Sequence, residues 1–242
     1  MPRSVSSSRN CRWGRHAVAV LAVALGFFGS ISAATPDLAT VLAEMDMAAA
    51  GWKGMRAKLE WVRYMALVDD TSVESGKIAV RRAADGGASM LISFEEPNVY
   101  FLSVKQARVE IYKPKIKTVE EYDVSDSKAK MENALLLGFG TSGSYLDQYY
   151  DIEMVGAATV NDQPVVHLDL QPKDPQAELN NQHIEMWVST ELWQPVQQKI
   201  HDLSPGDYRL FSYSEIALNP SFTAEDFKLR LARGTKRVRP QR

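Results

Sequence analysis

The first apolar positions of the folded region recur at helical spacing, three or four residues apart. They form one stripe of a helix that ends at Gly51 or Gly54, and they are Leu38, Val41, Leu42, Met45, Ala49 and Trp52. Thr35-Pro36-Asp37 has the composition of a helix start, with Thr35 as N-cap and Pro36 in the first turn. The pattern therefore predicts a helix over residues 37–50 that packs one face against a core.

Beyond residue 54 the pattern changes to alternation, which predicts about ten or eleven β-strands. The clearest pair covers residues 76–82 and 89–96, on either side of the turn signature Asp85-Gly86-Gly87. In an antiparallel hairpin the alternating apolar residues of the two strands share one face of the sheet. These residues are Ile78, Val80, Met90, Ile92 and Phe94, and we expect them to line an apolar concave face. The last predicted strand covers residues 227–231.

Two further helices interrupt the strands. One is predicted over residues 128–138, with apolar side chains around much of its circumference. This composition, together with the polar residues 125–127 before it and the glycines from Gly138 to Gly143 after it, favours a mobile lid with hinge-like flanks. The other helix is predicted over residues 144–150, where Ser144 and Asp147 have the spacing of a capping box.

Strands joined by short turns pair in antiparallel fashion. A sheet of this many strands must curl, and a barrel of that width has an interior that its own strand side chains cannot fill. The predicted fold class is therefore mainly β with a few helices (α+β): a curved antiparallel sheet that forms an incomplete β-barrel, capped by helices over an apolar cavity. The helices at 37–50 and 128–138, or a ligand, are the candidates for filling the interior.

Residues 1–33 have the layout of a secretory signal peptide. Four arginines precede an apolar run over residues 17–28, and small residues follow it. As a helix the run would be roughly 20 Å long, shorter than the ~30 Å core of a membrane. We expect cleavage after Ala33 or Ala34 and a periplasmic location, with an uncleaved anchor as the alternative. Cys11, the single cysteine, precedes the apolar run and so does not fit lipidation at the start of a mature lipoprotein.

Charge divides the remaining chain into two parts. Residues 34–227 carry 30 acidic and 17 basic side chains, a net charge of −13, whereas seven basic residues and no acid follow from Lys228 onward. The acidic body argues against binding to nucleic acid, which needs clustered Lys and Arg. The predicted organisation is a signal peptide (1–33), one domain (34–232) and a basic tail (233–242). We expect the tail to be a frayed, solvated terminus, or to touch anionic lipid headgroups.

Several stretches, in their order and spacing, are similar to one protein family. They are the opening helix and its following strand, then Gly76–Arg82, Leu91–Pro97, Ile111–Val119, the Leu-rich residues 134–137 and Phe227-Lys-Leu. Together they resemble the LolA-like family of outer-membrane lipoprotein carriers over nearly the whole predicted mature chain. Two departures stand out. Leu91 occupies the position at which the family usually has an arginine that holds the helical lid, and Ala232-Arg233 replaces a proline near the end.

The resemblance implies a non-enzymatic periplasmic carrier without a cofactor. Such a carrier would shield the acyl chains of lipoproteins or other lipids in transit toward the outer membrane. Its partners would be an inner-membrane donor complex and an outer-membrane acceptor, and we expect a monomer. An envelope-stress sensor or regulatory binding module on the same half-barrel is the alternative. The predicted acyl-binding residues are Ile78, Val80, Met90, Ile92, Phe94, Phe101, Met131, Leu135, Leu136 and Met186.

The sequence predicts no catalytic or metal site. Residues 138–143 match G-x-G-x-x-G, but a helix precedes them where a dinucleotide-binding fold needs a strand. His167 with Asp169, and His183 with Glu185, have a spacing that suits metal ligation on a strand. Neither pair has a third clustered ligand in the sequence, so surface strand residues are expected. A nucleophile with its base and oxyanion donors is not recognisable either.

Overall fold

The computed structural model describes residues 36–82, 87–105, 108–125, 139–174 and 181–240. Within these ranges it contains two α-helices, α1 (Leu38–Ala50) and α2 (Gly143–Tyr149). The strands in the same ranges are β1 (Gly54–Met65), β2 (Asp70–Arg82), β3 (Ala88–Phe94), β4 (Phe101–Lys105), β5 (Arg108–Lys113), β6 (Thr118–Asp123), β7 (Tyr150–Val160), β8 (Gln163–Pro172), β9 (Asn181–Ser189), β10 (Pro195–Asp202), β11 (Tyr208–Leu218) and β12 (Lys236–Val238).

These strands form one sheet in the order β12-β6-β5-β4-β3-β2-β1-β11-β10-β9-β8-β7. From β1 to β6 and from β7 to β11, consecutive strands pair in antiparallel fashion, and β11 returns to pair with β1, which joins the two halves. In the described ranges the parallel pairing is that of β12 with β6. The sheet stays open between its edge strands β12 and β7. The predicted incomplete antiparallel barrel with helices is confirmed.

Both described helices begin at a different cap from the predicted one. The Asp37 carboxylate accepts a hydrogen bond from the Thr40 N–H (2.8 Å), so Asp37, not Thr35, is the N-cap of α1. The Ser142 hydroxyl accepts from the Tyr145 N–H (3.1 Å) and takes the place predicted for Ser144. A side-chain oxygen that satisfies a free N–H of the first turn determines where each helix begins.

The C-terminal prediction is wrong in two respects. Phe227 ends a 3₁₀ turn (Ala224–Phe227) instead of opening a strand, and part of the expected frayed tail forms β12. Arg237 explains the second difference, because it forms ion pairs with Glu110 and Glu121 on the neighbouring strands. Its hydrogen bond to Glu121 lowers the pKa of that carboxyl below its usual value. The basic tail is therefore held by the acidic edge of the sheet.

Residues 219–238, here called the C-terminal strap, cross one face of β1–β6. Asp226 forms an ion pair with Arg56 on β1 (2.7 Å), and the Ala232 N–H donates to the Tyr112 hydroxyl on β5 (3.1 Å). Phe227 is buried, with the Arg81 guanidinium 4.7 Å from its ring centre. We call the face under the strap the outer face and the opposite one the inner face.

The inner face carries two groups of buried apolar side chains. The first cluster lies mainly on β1–β4 and includes Trp52 and Phe139 from adjoining loops. The second cluster lies on β7–β10 beneath α1 and α2. Register pairs Met186 with Gln198, Gln198 with Phe211 and Phe211 with Trp61, so both clusters share one face. The helices therefore cover one of two apolar clusters that share the inner face, with the buried Gln198 between them.

Candidate functional site

The hairpin of β2 and β3 places the five residues expected on the concave face side by side. Ile78 pairs with Ile92 and Val80 pairs with Met90, while Phe94 lies opposite Gly76. All five belong to the first cluster and are buried. The polar neighbours Lys77 and Glu95 are exposed. The predicted sharing of one face is confirmed by this register, and acyl binding at that face stays a prediction.

The remaining predicted residues do not form one group with these five. Phe101 pairs with Ser93 and stacks on Tyr112 (ring centres 5.9 Å apart), which places it on the outer face. Phe101 thus lies on the opposite face from the five residues of the hairpin, and its predicted role in acyl binding stays a prediction. Met186 lies on the inner face, but it is fully buried in the second cluster. The three predicted residues of the 128–138 helix, which are Met131, Leu135 and Leu136, lie outside the described residues.

An aromatic group, made of Trp61, Phe94, Tyr100 and Phe211, occupies one end of the first cluster. Phe94 stacks on Tyr100 with ring centres 4.2 Å apart, and Trp61 lies 5.6 Å from Phe211 and 5.9 Å from Phe94. The buried Trp61 Nε1 has no hydrogen-bond partner among the described residues. Burial and a hydrogen bond to Glu74 raise the pKa of the Tyr100 hydroxyl, so it stays neutral. This end of the inner face therefore offers flat aromatic surfaces, with Glu74 at Tyr100 and the Arg63 guanidinium 5.1 Å from the centre of the Trp61 ring.

A cavity of 690 Å³ adjoins the aromatic group at Tyr100. Val99, Pro97 and Ile111 supply apolar walls, and the charged rim consists of Glu96, Lys113 and Lys115. Lys113 is paired with Glu120 at 2.6 Å. The volume lies within the range of roughly 300–1,000 Å³ typical of ligand sites in proteins. The site thus combines an apolar interior with a polar entrance.

Residues 139–143, the first of the described range 139–174, are packed against the rest of the fold. Phe139 is buried and meets Tyr213 edge-on, with ring centres 4.4 Å apart. The Gly140 N–H donates to the buried Gln194 side chain (2.9 Å). Gly140 has φ +72°, and a Cβ on it would lie 2.5 Å from the Trp52 ring. The flank predicted to be hinge-like, Gly138–Gly143, is described from residue 139, where Gly140 permits close packing and a left-handed backbone conformation; its role as a hinge stays a prediction.

Arg82, which the sequence analysis did not single out, stands at the end of β2 beside this segment. Its Nη2 donates to the Gly140 carbonyl (3.3 Å), and its guanidinium lies 5.6 Å from the centre of the Trp52 ring. Leu91, at the position equated with the family's arginine, pairs with Ala79 and Ser103 on the outer face. An arginine at position 91 would thus point away from the clusters. Only the three-dimensional fold could identify Arg82 as the cation that holds this loop.

A polar cluster occupies the outer face of β8–β10, behind the second cluster. His201 Nε2 lies 2.8 Å from Glu185 Oε1, and the His183 and His201 rings stack with centres 3.6 Å apart. His167 Nε2 lies 3.0 Å from the other carboxylate oxygen of Glu185. The expectation that the His183–Glu185 pair lacks a third ligand group is wrong. His201 follows Glu185 by 16 residues in the chain, and the pairing of β9 with β10 brings the two side chains together.

The electrostatics of this polar cluster centre on Glu185. Its burial opposes ionisation, but hydrogen bonds from His201 and Lys199 outweigh this effect and lower the pKa of Glu185 to about 2. Lys199 Nζ lies 3.0 Å from Oε1. Burial, with repulsion from His201 next to it, lowers the pKa of His183 below its usual value. At neutral pH the cluster therefore contains an ionised carboxylate beside an uncharged imidazole.

In the part of the chain that the structure describes, none of the helices has the length and apolar character needed to cross a membrane. Models of protein families give no match to the chain, and the curated protein sequences give none either.

Solved structures are similar in fold. MucB matches with a TM-score of 0.51 and 14% identity, over 80% of this chain and 62% of MucB. The chain thus spans about three fifths of that structure. An uncharacterized conserved protein from Thermus thermophilus matches with a TM-score of 0.52 and 9% identity, over 84% of this chain and all of the other. The LolA superfamily protein NE2245 from Nitrosomonas europaea matches with a TM-score of 0.39 and 11% identity, over 81% and 99% of the two chains.

The open, mainly antiparallel sheet with helices on one face is thus similar in fold to MucB and to the Thermus thermophilus protein.

Proposed function

We propose that the protein is a periplasmic carrier that binds acyl chains of lipoproteins or other lipids on the inner face of its half-barrel. The observation that carries the proposal is that two apolar clusters lie on the same inner face of the sheet. One cluster is covered by α1 and α2, and the other ends in the aromatic group beside the 690 Å³ cavity. Flat aromatic side chains and Met side chains adapt well to flexible chains. The lysine rim would meet a polar or anionic headgroup.

The energetics of acyl transfer restrict how such a carrier works. Each buried CH₂ contributes ~0.8 kcal/mol, so exposing three chains of about 15 methylenes costs roughly 35 kcal/mol. Non-covalent affinities do not exceed about 20 kcal/mol. Lipid therefore cannot pass through water, and the proposed carrier collects it from an inner-membrane donor and delivers it to an outer-membrane acceptor by direct contact. An empty apolar face must also be covered, because exposed patches of this kind promote aggregation.

Trp61→Ala is expected to weaken binding of a fluorescent fatty-acid probe by about tenfold, because it removes a large apolar surface from the aromatic group. Trp187→Ala is the matched control. Trp187 is also half-buried, but it stacks on His167 on the outer face (ring centres 4.3 Å apart). Probe titration of both variants, with thermal unfolding of each, makes the comparison. Equal loss in both variants, or no loss in a folded Trp61→Ala protein, would contradict binding at the inner face.

Leu135→Asp tests the proposed lid at residues 128–138. We expect it to reduce probe uptake several-fold and to change the melting temperature by only a few degrees, since a lid belongs to the least stable part of a fold. Uptake and thermal unfolding are measured on the same samples. A large drop in melting temperature would identify this segment as ordinary core, and unchanged uptake would remove it from the mechanism.

A regulatory binding module is the second candidate, and the fold similarity to MucB is the observation that favours it. MucB has been solved in complex with MucA. The two proposals differ in what the protein retains on purification. Mass spectrometry of a chloroform extract should find acyl lipid in a stoichiometric amount if the protein is a carrier. Lipid-free protein that forms a stable complex with another protein would favour the regulatory module instead.

A further inference from the structure

His183, Glu185 and His201 bring three potential metal ligands together on the outer face of β9 and β10. A ring nitrogen of each histidine and a carboxylate oxygen of Glu185 all lie within 4.8 Å of one another. We propose that these residues bind a divalent transition-metal ion, with Zn²⁺ as the best fit. The site lies on the side of the sheet opposite to the proposed acyl-binding face, so the inference does not depend on the proposed function.

The local strand geometry explains why the three side chains converge. His183 and Glu185 are two residues apart on β9 and therefore point to the same face. Between the pairs Ile184–Ile200 and Asn181–Asp202, β9 has two residues and β10 has only His201, so the extra residue of a β-bulge lies on β9. His183 belongs to this bulge and lies opposite His201, and the two rings stack with centres 3.6 Å apart. This places a ring nitrogen of each histidine and a carboxylate oxygen of Glu185 close together.

The type and number of donors favour zinc. Two imidazole nitrogens and one carboxylate oxygen form a set that zinc takes in sites with one open position, where donors lie about 3.3 Å apart around a tetrahedral ion. The Glu185–His201 contact of 2.8 Å is already near this value. His167 Nε2, 3.0 Å from the second Glu185 oxygen, supplies an outer group that orients this ligand, and Asp169 Oδ2 lies 3.6 Å from His183 Nε2.

Lys199 gives the proposal a distinctive consequence. Its ammonium lies 3.0 Å from Glu185 Oε1, the oxygen that also contacts His201. A metal ion must displace this cation, and the Tyr208 ring, 4.9 Å from Nζ, offers it another contact. Removing the ammonium should therefore strengthen metal binding. A network of ion pairs that served only the stability of the sheet would not respond in this way.

The experiment measures Zn²⁺ affinity by isothermal titration calorimetry of the purified, tag-free protein, with Co²⁺ absorption as a probe of tetrahedral ligation. Glu185→Gln and His201→Ala should each weaken binding at least about 100-fold, because each removes a ligand. Lys199→Met should strengthen it about tenfold by removing a like charge. Glu153→Gln is the matched control, since Glu153 is exposed and pairs with Asp169 across β7 and β8. It should leave the affinity unchanged.

Three results would overturn the proposal. One is a wild-type affinity for Zn²⁺ that is no greater than that of a His183→Ala/His201→Ala double variant. This double variant measures the binding of Zn²⁺ to residues elsewhere in the chain. Another is equal loss in Glu153→Gln and Glu185→Gln. The third is weaker or unchanged binding in Lys199→Met. This last variant retains all three ligands, so it keeps the proposal testable if the other substitutions prevent folding.

Discussion

Met186→Ala is expected to lower the free energy of unfolding by about 2–5 kcal/mol while leaving acyl-probe binding unchanged. Met186 is fully buried in the second cluster, where Leu168 lies directly opposite it on β8. The same cluster includes Val41 and Met45 of α1, both also fully buried. Truncation therefore leaves a cavity that rigid neighbours on both sides cannot fill. The role assigned to Met186 from sequence, contact with lipid, would instead predict weaker probe binding.

Urea unfolding followed by tryptophan fluorescence measures the loss of stability, and a probe titration measures binding. Met47→Ala is the control for removing a methionine, because Met47 lies on α1 but is 63% exposed. It should change stability by no more than about 0.5 kcal/mol. A Met186→Ala protein that is nearly as stable as the wild type but no longer binds the probe would contradict this prediction. That result would show instead that Met186 contacts the acyl chain.

Phe227→Ala is expected to reduce the free energy of unfolding by about 3–5 kcal/mol, although the sequence pattern predicts that this residue opens a strand. Phe227 is 4% exposed, and its ring packs against Phe222 (centres 5.0 Å apart) and below the Arg81 guanidinium. Its loss would loosen the C-terminal strap where the strap meets β1–β3. We therefore expect the strap to unfold together with the sheet and not as a separate terminus.

Leu231→Ala provides the comparison within the strap, since Leu231 is 37% exposed. Its substitution should cost less than about 1 kcal/mol. Hydrogen exchange of β12 in the Phe227→Ala protein adds a local measurement. If Phe227→Ala and Leu231→Ala have the same small effect, the strap lies on the outer face without stabilising it.

The spacing of apolar residues predicted those helices and strands whose pattern is complete within a few neighbouring residues. The apolar stripe from Leu38 to Ala49 predicted α1, and alternation on β2 and β3 placed Ile78 and Ile92 on one face. In both cases the side-chain period of the element itself carries the information. The open, mainly antiparallel sheet followed from the number of strands and the short turns between them.

Beyond one hairpin, the turns between strands determine which face of the sheet each side chain occupies. Because side chains alternate with a period of two, one additional residue in a turn moves a whole strand's apolar set to the opposite face. Phe101 illustrates this: residues 95–100 connect β3 to β4 so that Phe101 pairs with Ser93, and the neighbouring Leu102 packs on the first cluster instead. The length and shape of that turn are tertiary facts, and no periodicity within β4 reveals them.

The sequence by itself determined the fold class, the two described helices and the five residues of the β2–β3 hairpin that share the inner face. Only the tertiary structure decided which distant residues meet. It joined His201 to Glu185 through the pairing of β9 with β10, Arg82 to Gly140 at the end of β2, and the basic tail to the acidic edge of β5 and β6. Such contacts depend on strand order and register across many residues, whereas the local pattern of polar and apolar residues determines only which elements form and which faces they bury.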